Sequence, residues 1–347
     1  MLKHFRVSIL FTLFCLLVGA WYGWFESGSL AGALRTLWIV SVLAVLEISL
    51  SFDNAVVNAS VLAGMDELWR KRFLTWGMVF AVYGVFVVFP LAIVAVAAGI
   101  GPIEAFQLSL SNPAQYETIM DHAHPGIAGF GGAFLLLVGL KFFFDSDKDV
   151  HWIKVVELQL ARFSAVPMLE TVLVLLTLWG VSTYLPADVR WTYLIAGILG
   201  IATFLLVEAL GKVLEHREDK LKAAGAVVRS GLGSFLYLNV LDATFSFDGV
   251  IGAFALSNNM IVIALGLSIG AMFVRSLTLL MVNEGTLAEY RYLEHGAFWA
   301  IIALGVIMLV SARWEVPDTV TGLVGAVLII ASIFWSVRHR RRHPQPA

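Results

Sequence analysis

Apolar runs long enough to cross a bilayer recur along this chain at about 7–26, 36–64, 73–101, 126–144, 165–185, 191–211, 230–257, 260–282, 297–312 and 318–337. Each is close to the roughly 20 residues a helix needs to span the hydrocarbon. A backbone in lipid must satisfy its own hydrogen bonds, so runs of this kind fold as helices. With 59% of 347 residues hydrophobic and 14% charged, the expected fold is an all-α, polytopic transmembrane bundle of about nine to ten spans. The lipid bilayer is then its first partner. Net charge is −2, and the basic residues sit between apolar runs, so no face is offered to nucleic acid. A lone cysteine, Cys15, excludes both a disulfide framework and a thiolate metal cluster.

Lys3, His4 and Arg6 precede the first run, and Val18-Gly19-Ala20 has the small-residue look of a signal-peptidase site. The run nevertheless continues through Trp21, Tyr22, Trp24 and Phe25. That length and aromatic belt predict a retained helix.

Cytoplasmic loops collect Lys and Arg. On that rule one side of the membrane holds the N-terminus, Arg70-Lys71-Arg72, the segment with Lys148, Lys154 and Arg162, the segment with Arg217, Lys220 and Lys222, Arg291, and the tail from Arg338 to Arg342. The connection 102–125 has Glu104, Glu117, Asp121, His122 and His124 but no Lys or Arg, and is read as a long outer loop. Both termini are thus expected in the cytoplasm, with Arg190 and Arg313 as two exceptions. The organisation that follows is one membrane domain: a helix at 1–29, a first repeat at 36–144, a connecting surface helix and two spans at 145–229, a second repeat at 230–337, and a basic tail at 338–347. Val150, Trp152, Ile153, Val156, Leu160 and Phe163 lie among charges and predict an amphipathic helix on the inner surface.

Two acidic motifs stand inside apolar runs. Glu47-Ile48-Ser49-Leu50-Ser51-Phe52-Asp53-Asn54 and Asp242-Ala243-Thr244-Phe245-Ser246-Phe247-Asp248-Gly249 share an acid at the first position and Ser-Phe-Asp at the fifth to seventh. The loop charges run the two host helices in opposite directions, which makes them an inverted repeat of the kind that builds transporter sites near the midplane. An ionised carboxylate at a helix centre costs about 2.5–3.5 kcal/mol on insertion scales, so four of them imply function. On an unbroken helix Glu47, Ser51, Asn54 and Asn58 share a stripe while Asp53 lies off it, and Asn239, Asp242 and Ser246 do the same with Asp248 off it. A local unwinding at Ser-Phe-Asp in each copy is therefore expected, bringing both acids to one cavity.

The resulting ligand set is carboxylate, amide and hydroxyl oxygen, suited to Mn²⁺, Mg²⁺ or Ca²⁺. All histidines lie outside the expected spans. Arg275, inside the eighth run, either balances the acidic cluster when no cation is bound or snorkels to the interface. Lys141, Glu170 and Glu208, near the inner ends of their spans, are read as interfacial.

At these residues the chain resembles the TerC-type integral membrane proteins, named for tellurium resistance, and more broadly the lysine-exporter-like superfamily. The likeness rests on Glu47 with Ser51-Phe52-Asp53-Asn54 and on Asp242 with Ser246-Phe247-Asp248, within a hydropathy pattern covering about 36–335. It implies export of a divalent cation, chiefly manganese, with Glu47, Asp53, Asn54, Asp242 and Asp248 lining the ion site. Gly249 departs from the Asp-Asn doublet of the first copy.

The reading is a bacterial plasma-membrane exporter of Mn²⁺ or a similar ion, working by alternating access with protons as counter-ion. It has no prosthetic group and is not an enzyme. The alternatives are a non-transporting scaffold of a metal- or envelope-stress complex, and an intramembrane aspartyl enzyme, whose Gly-x-Gly-Asp setting neither Asp53 nor Asp248 has. Oligomeric partners are not legible.

Overall fold

The computed structural model describes residues 2–342 apart from 78, 146–147, 164, 224–230, 255, 258 and 315. Among the described residues the chain is helical, with no strand. The order is α1 (Leu2–Ser27), α2 (Leu30–Leu50), α3 (Phe52–Ala63), α4 (Glu67–Arg72), two π-helical segments (Phe73–Gly77 and Phe80–Val88), α5 (Phe89–Ala98), α6 (Pro102–Ser111), α7 (Pro113–Phe143) and α8 (Lys154–Phe163). It continues with α9 (Leu169–Ser182), α10 (Ala187–Ala223), α11 (Leu232–Phe254), α12 (Met260–Asn283), α13 (Thr286–Glu289), α14 (Leu293–Ser311) and α15 (Asp318–Arg342).

Seven of these helices, α1, α2, α7, α10, α12, α14 and α15, are long and apolar enough to cross a membrane. An eighth span arises if the pair Gly84–Ala98 and Pro102–Ser111, bent by 101°, counts as one. Of the ten expected runs, 165–185 shortens to the 14 residues of α9 and 230–257 becomes the 23-residue α11. The expected outer loop at 102–125 is instead helical. Gly99, at φ 65°, ends α5, and Pro102 opens α6 with Glu104 folded back onto the Gly101 N–H at 3.1 Å. Asn112 then caps α7 by accepting from Gln115 N–H at 3.3 Å. A loop poor in Lys and Arg says which side it faces and nothing about whether its backbone is helical.

The chain divides into two interleaved units. The first comprises Met1–Ser51, Glu67–His124 and Asn239–Leu280. Here α1, α2 and α12 share an apolar core of Cys15, Val40, Ala44, Val262 and Ile269. Ser8 Oγ lies 2.7 Å from Ser276 Oγ, Ser276 Oγ donates to the His4 carbonyl at 2.9 Å, and Asn259 Nδ2 donates to Tyr22 Oη at 2.7 Å. Those bonds tie both ends of α1 to the start and the later turns of α12. Small residues let α2 and α12 approach closely, as in other membrane helix pairs. A Cβ at Gly266 would overlap Leu43 Cβ, and one at Gly270 would overlap the Glu47 side chain.

The second unit comprises Phe52–Asp66, Pro125–Leu238 and Met281–Ala347. In it α7 crosses α14 where Gly132 and Gly305 face each other, each lacking room for a Cβ. Tyr193 Oη donates to the Leu309 carbonyl at 3.2 Å, which brings α10 onto the same helix. α3 packs on α14 and α15. The two arginines that break the loop-charge pattern have a local job here. Arg190 donates to the Leu185 carbonyl at 3.0 Å and Arg313 to the Tyr184 carbonyl at 3.1 Å, so both serve the exposed carbonyls after the C-terminus of α9.

The expected surface helix forms as α8, and it turns apolar residues outward and one acid inward. Val155, Val156 and Phe163 are exposed, while Glu157 is 1% exposed. Its carboxylate accepts from Trp152 N–H at 2.8 Å, Ile153 N–H at 3.0 Å and Trp299 Nε1 at 3.0 Å, and His295 Nδ1 lies at 3.0 Å. Four hydrogen-bond partners make an inward acid cheaper than an unsatisfied one, and the apolar residues are left for lipid.

Candidate ion-binding site

Ser51 interrupts the run 36–64 where the first motif was expected to unwind. It ends α2 with φ −99° and ψ 19°, and α3 begins at the next residue. The break resets the helical phase, so the displacement of Asp53 from the polar stripe no longer applies. Asp53 falls in the first turn of α3, where Asn54 N–H donates to its Oδ1 at 2.9 Å. A carboxylate there is favoured by the unsatisfied N–H groups and the dipole of the helix start.

In the first unit the Glu47 side chain is 3% exposed. Ser51 Oγ donates to its Oε1 at 2.8 Å. The other oxygen, Oε2, points at the second motif: a Cβ placed on Gly249 would stand only 2.8 Å from it. Gly270 on α12 gives way on the opposite side of the same side chain. The two copies of the repeat therefore meet at one carboxylate, and the residue that departs from the Asp-Asn doublet is the one that leaves space for it.

The second copy does not unwind. α11 runs without interruption from Leu232 to Phe254, contrary to the expectation of a matching break. Ser246 Oγ donates to the Asp242 carbonyl at 2.9 Å and Thr244 Oγ1 to the Val240 carbonyl at 2.8 Å. Both hydroxyls are satisfied by carbonyls one turn back, so the helix continues through them. Gly249 supplies room here, not a kink. Asp242 is half-buried and Ser246 buried on this helix; Asp248 is helical in its backbone, and its side chain lies outside the described residues. Asn239 sits one turn earlier, its Oδ1 3.5 Å from where a Cβ on Gly77 would be.

Gly77 closes the first π-helical segment. π-turns are rare and gather at functional sites. Arg275, left between two readings by the sequence, donates through Nε to the Leu74 carbonyl in this segment at 2.6 Å. It anchors α12 to the widened helix, a role neither reading had named.

In the second unit Asp53, Asn54 and Asn58 are 5%, 6% and 4% exposed on α3. Asn54 Oδ1 is buried without a hydrogen-bond partner. An unsatisfied buried oxygen normally costs about 1–3 kcal/mol, and a cation is one partner that would relieve it. Among the described residues no group of three or more His, Cys, Asp or Glu side chains is arranged to hold a metal. A site here would rely on hydroxyl, amide or carbonyl oxygen beside one or two carboxylates, as hard cations accept.

Two charge clusters escaped sequence reasoning. Lys141 pairs with Glu170 at 3.4 Å and Glu208 at 3.3 Å, and Glu208 with Lys212 at 2.7 Å, so these residues bind one another where interfacial snorkelling was expected. His295, expected in a loop, lies in the first turn of α14 and faces Glu157. Glu208 and Lys212 stand four residues apart on α10, a local spacing, but Lys141–Glu170 and Glu157–His295 have no local signal, being 29 and 138 positions apart.

A family model described as "Protein of unknown function (DUF475)" matches residues 52–343. The match takes in Asp53, Asn54 and the whole second motif but begins after Glu47 and Ser51. No curated protein and no solved structure matches the chain.

Proposed function

The chain belongs to the DUF475 family, and from its own residues we propose that it is a membrane transporter that exports a divalent cation, Mn²⁺ first among candidates, by alternating access with protons moving inward. The observation that carries this reading is the meeting of the two motifs at Glu47, whose Oε2 faces Gly249 of the second copy. Intramembrane carboxylates that converge from a repeat mark ion pathways. The helix break at Ser51, the unpartnered Asn54 oxygen and the resemblance to TerC-type manganese exporters support it.

In this reading Glu47, Asp242, Ser246 and Asp248 meet the ion, and the TerC-type resemblance implies Asp53 and Asn54 as further ligands; Mg²⁺ and Ca²⁺ are the nearest competitors for such oxygen ligands. Protonation of the carboxylates on one side of the cycle releases the cation, and proton loss on the other side restores affinity. The acids carry an ion and break no bond, so the protein is not an enzyme. Its place is a bacterial inner membrane, with both termini in the cytoplasm.

Purified protein in vesicles, loaded with a manganese-sensitive dye, tests the proposal. Manganese uptake that alkalinises the lumen, as protons leave in exchange, and that falls at least about tenfold in Asp53→Asn and in Glu47→Gln, is expected. Unchanged manganese flux in both variants would overturn it.

A further inference from the structure

The second unit contains a cavity of about 600 Å³ that the ion pathway does not use. It lies where α7 ends, at Lys141 and Phe142, and where α9 and α14 begin, at Glu170 and Glu294. Helix ends of membrane-spanning segments mark the level of the headgroups. Its rim includes Met168, the one described non-glycine residue with positive φ, 61°, and backbone strain of that kind gathers at ligand sites.

The charges in the cavity differ in their need for a partner. Lys141 and Glu170 neutralise each other, with Glu208 assisting. Lys148 has its ammonium against the faces of Phe142 and Phe298, and Nζ is buried without a hydrogen-bond acceptor. Burial pulls this amine down to about 7, against the pull of Glu294, Asp145 and Glu157 in the other direction. An oxyanion would complete Lys148. A simple anion would meet the carboxylates of Asp145 and Glu294 on the same lining, and a simple cation would meet Lys148. The complement is a molecule with both charges a short distance apart, and the walls from Val138 and the aromatic rings suit an apolar tail.

We propose that this cavity holds the headgroup of a zwitterionic phospholipid bearing a primary ammonium, with its phosphate on Lys148 and its ammonium on Glu294. The primary ammonium matters because its N–H groups can donate to a carboxylate, which a quaternary ammonium cannot. This site is independent of cation transport.

Native mass spectrometry of the full chain in detergent, with equimolar phosphatidylethanolamine, phosphatidylcholine and phosphatidylglycerol, tests the assignment. Phosphatidylethanolamine is expected to be retained about tenfold over either competitor, the worth of one charge-assisted hydrogen bond. Lys148→Met lowers retention of all three lipids by about tenfold, since all carry the phosphate, while Lys154→Met, at an exposed position on α8, leaves retention unchanged. Glu294→Gln shifts retention from phosphatidylethanolamine toward phosphatidylglycerol, a swap that misfolding would not produce. Equal retention of the three lipids, undiminished retention in Lys148→Met, or an unaltered preference in Glu294→Gln would sink the proposal. Displacement of the lipid by phosphoethanolamine at equal concentration would overturn the lipid as the source of the headgroup.

Discussion

Gly249 is the residue on which the candidate site turns. A methyl group there would press on Glu47 Oε2 at 2.8 Å, and a methyl at Gly270 would press on the same side chain from α12. Gly249→Ala is expected to reduce manganese flux at least about tenfold while leaving the thermal midpoint within a few degrees, since a buried side chain is displaced but no cavity is created. Flux equal to that of the parent protein would show that the contact is incidental. Arg275 predicts the opposite balance. Its bond to the Leu74 carbonyl is charge-assisted, so Arg275→Met should cost roughly 1.5–3 kcal/mol of stability. Arg275→Lys, which keeps a charged donor, should recover part of it, as a paired denaturation series in detergent would read.

Among the elements, α8 is the one whose attachment has a pH signature. Burial pushes the Glu157 carboxyl up, but bonds from His295, the Ile153 N–H and Trp299 outweigh it and hold the group at about 2. A carboxyl depressed on folding adds stability above its ordinary value near 4.5, and that stability fades as pH falls toward 2. Glu157→Gln is therefore expected to lower the thermal midpoint at pH 7 and to differ little from the parent near pH 2. Hydrogen exchange along 150–163 should rise in the variant at pH 7, and protection equal to the parent's would show that α8 is held by other contacts. The π-helical segments and the break at Ser51 are the other irregular elements; the break lies between Glu47 and Asp53, and Gly77 of the first π-helical segment lies near Asn239.

For the whole molecule, the number of crossings decides where the ends lie. Among the described residues seven helices are long and apolar enough to cross, and the bent pair makes eight if it counts as one span; the proposed orientation, with both termini on one side, requires an even number. Fluorescent-protein fusions at the N- and C-termini are both expected to fluoresce, as cytoplasmic ones do. A dark fusion at one end only would require an odd number of crossings. The membrane character, the helical class and the position of the first break were all legible in the chain, because hydropathy and helical phase are local properties that neighbouring residues impose on one another. The same local logic failed for the second motif. A hydroxyl such as that of Ser246 can either cap a break or bond one turn back, and its surroundings choose. Nor could sequence place Arg275 on the Leu74 carbonyl, turn Glu157 inward to His295, or reveal that Gly249 makes room for Glu47. Those outcomes depend on which distant helices approach closely enough to share a side chain's volume and hydrogen bonds, and only packing in three dimensions settles that.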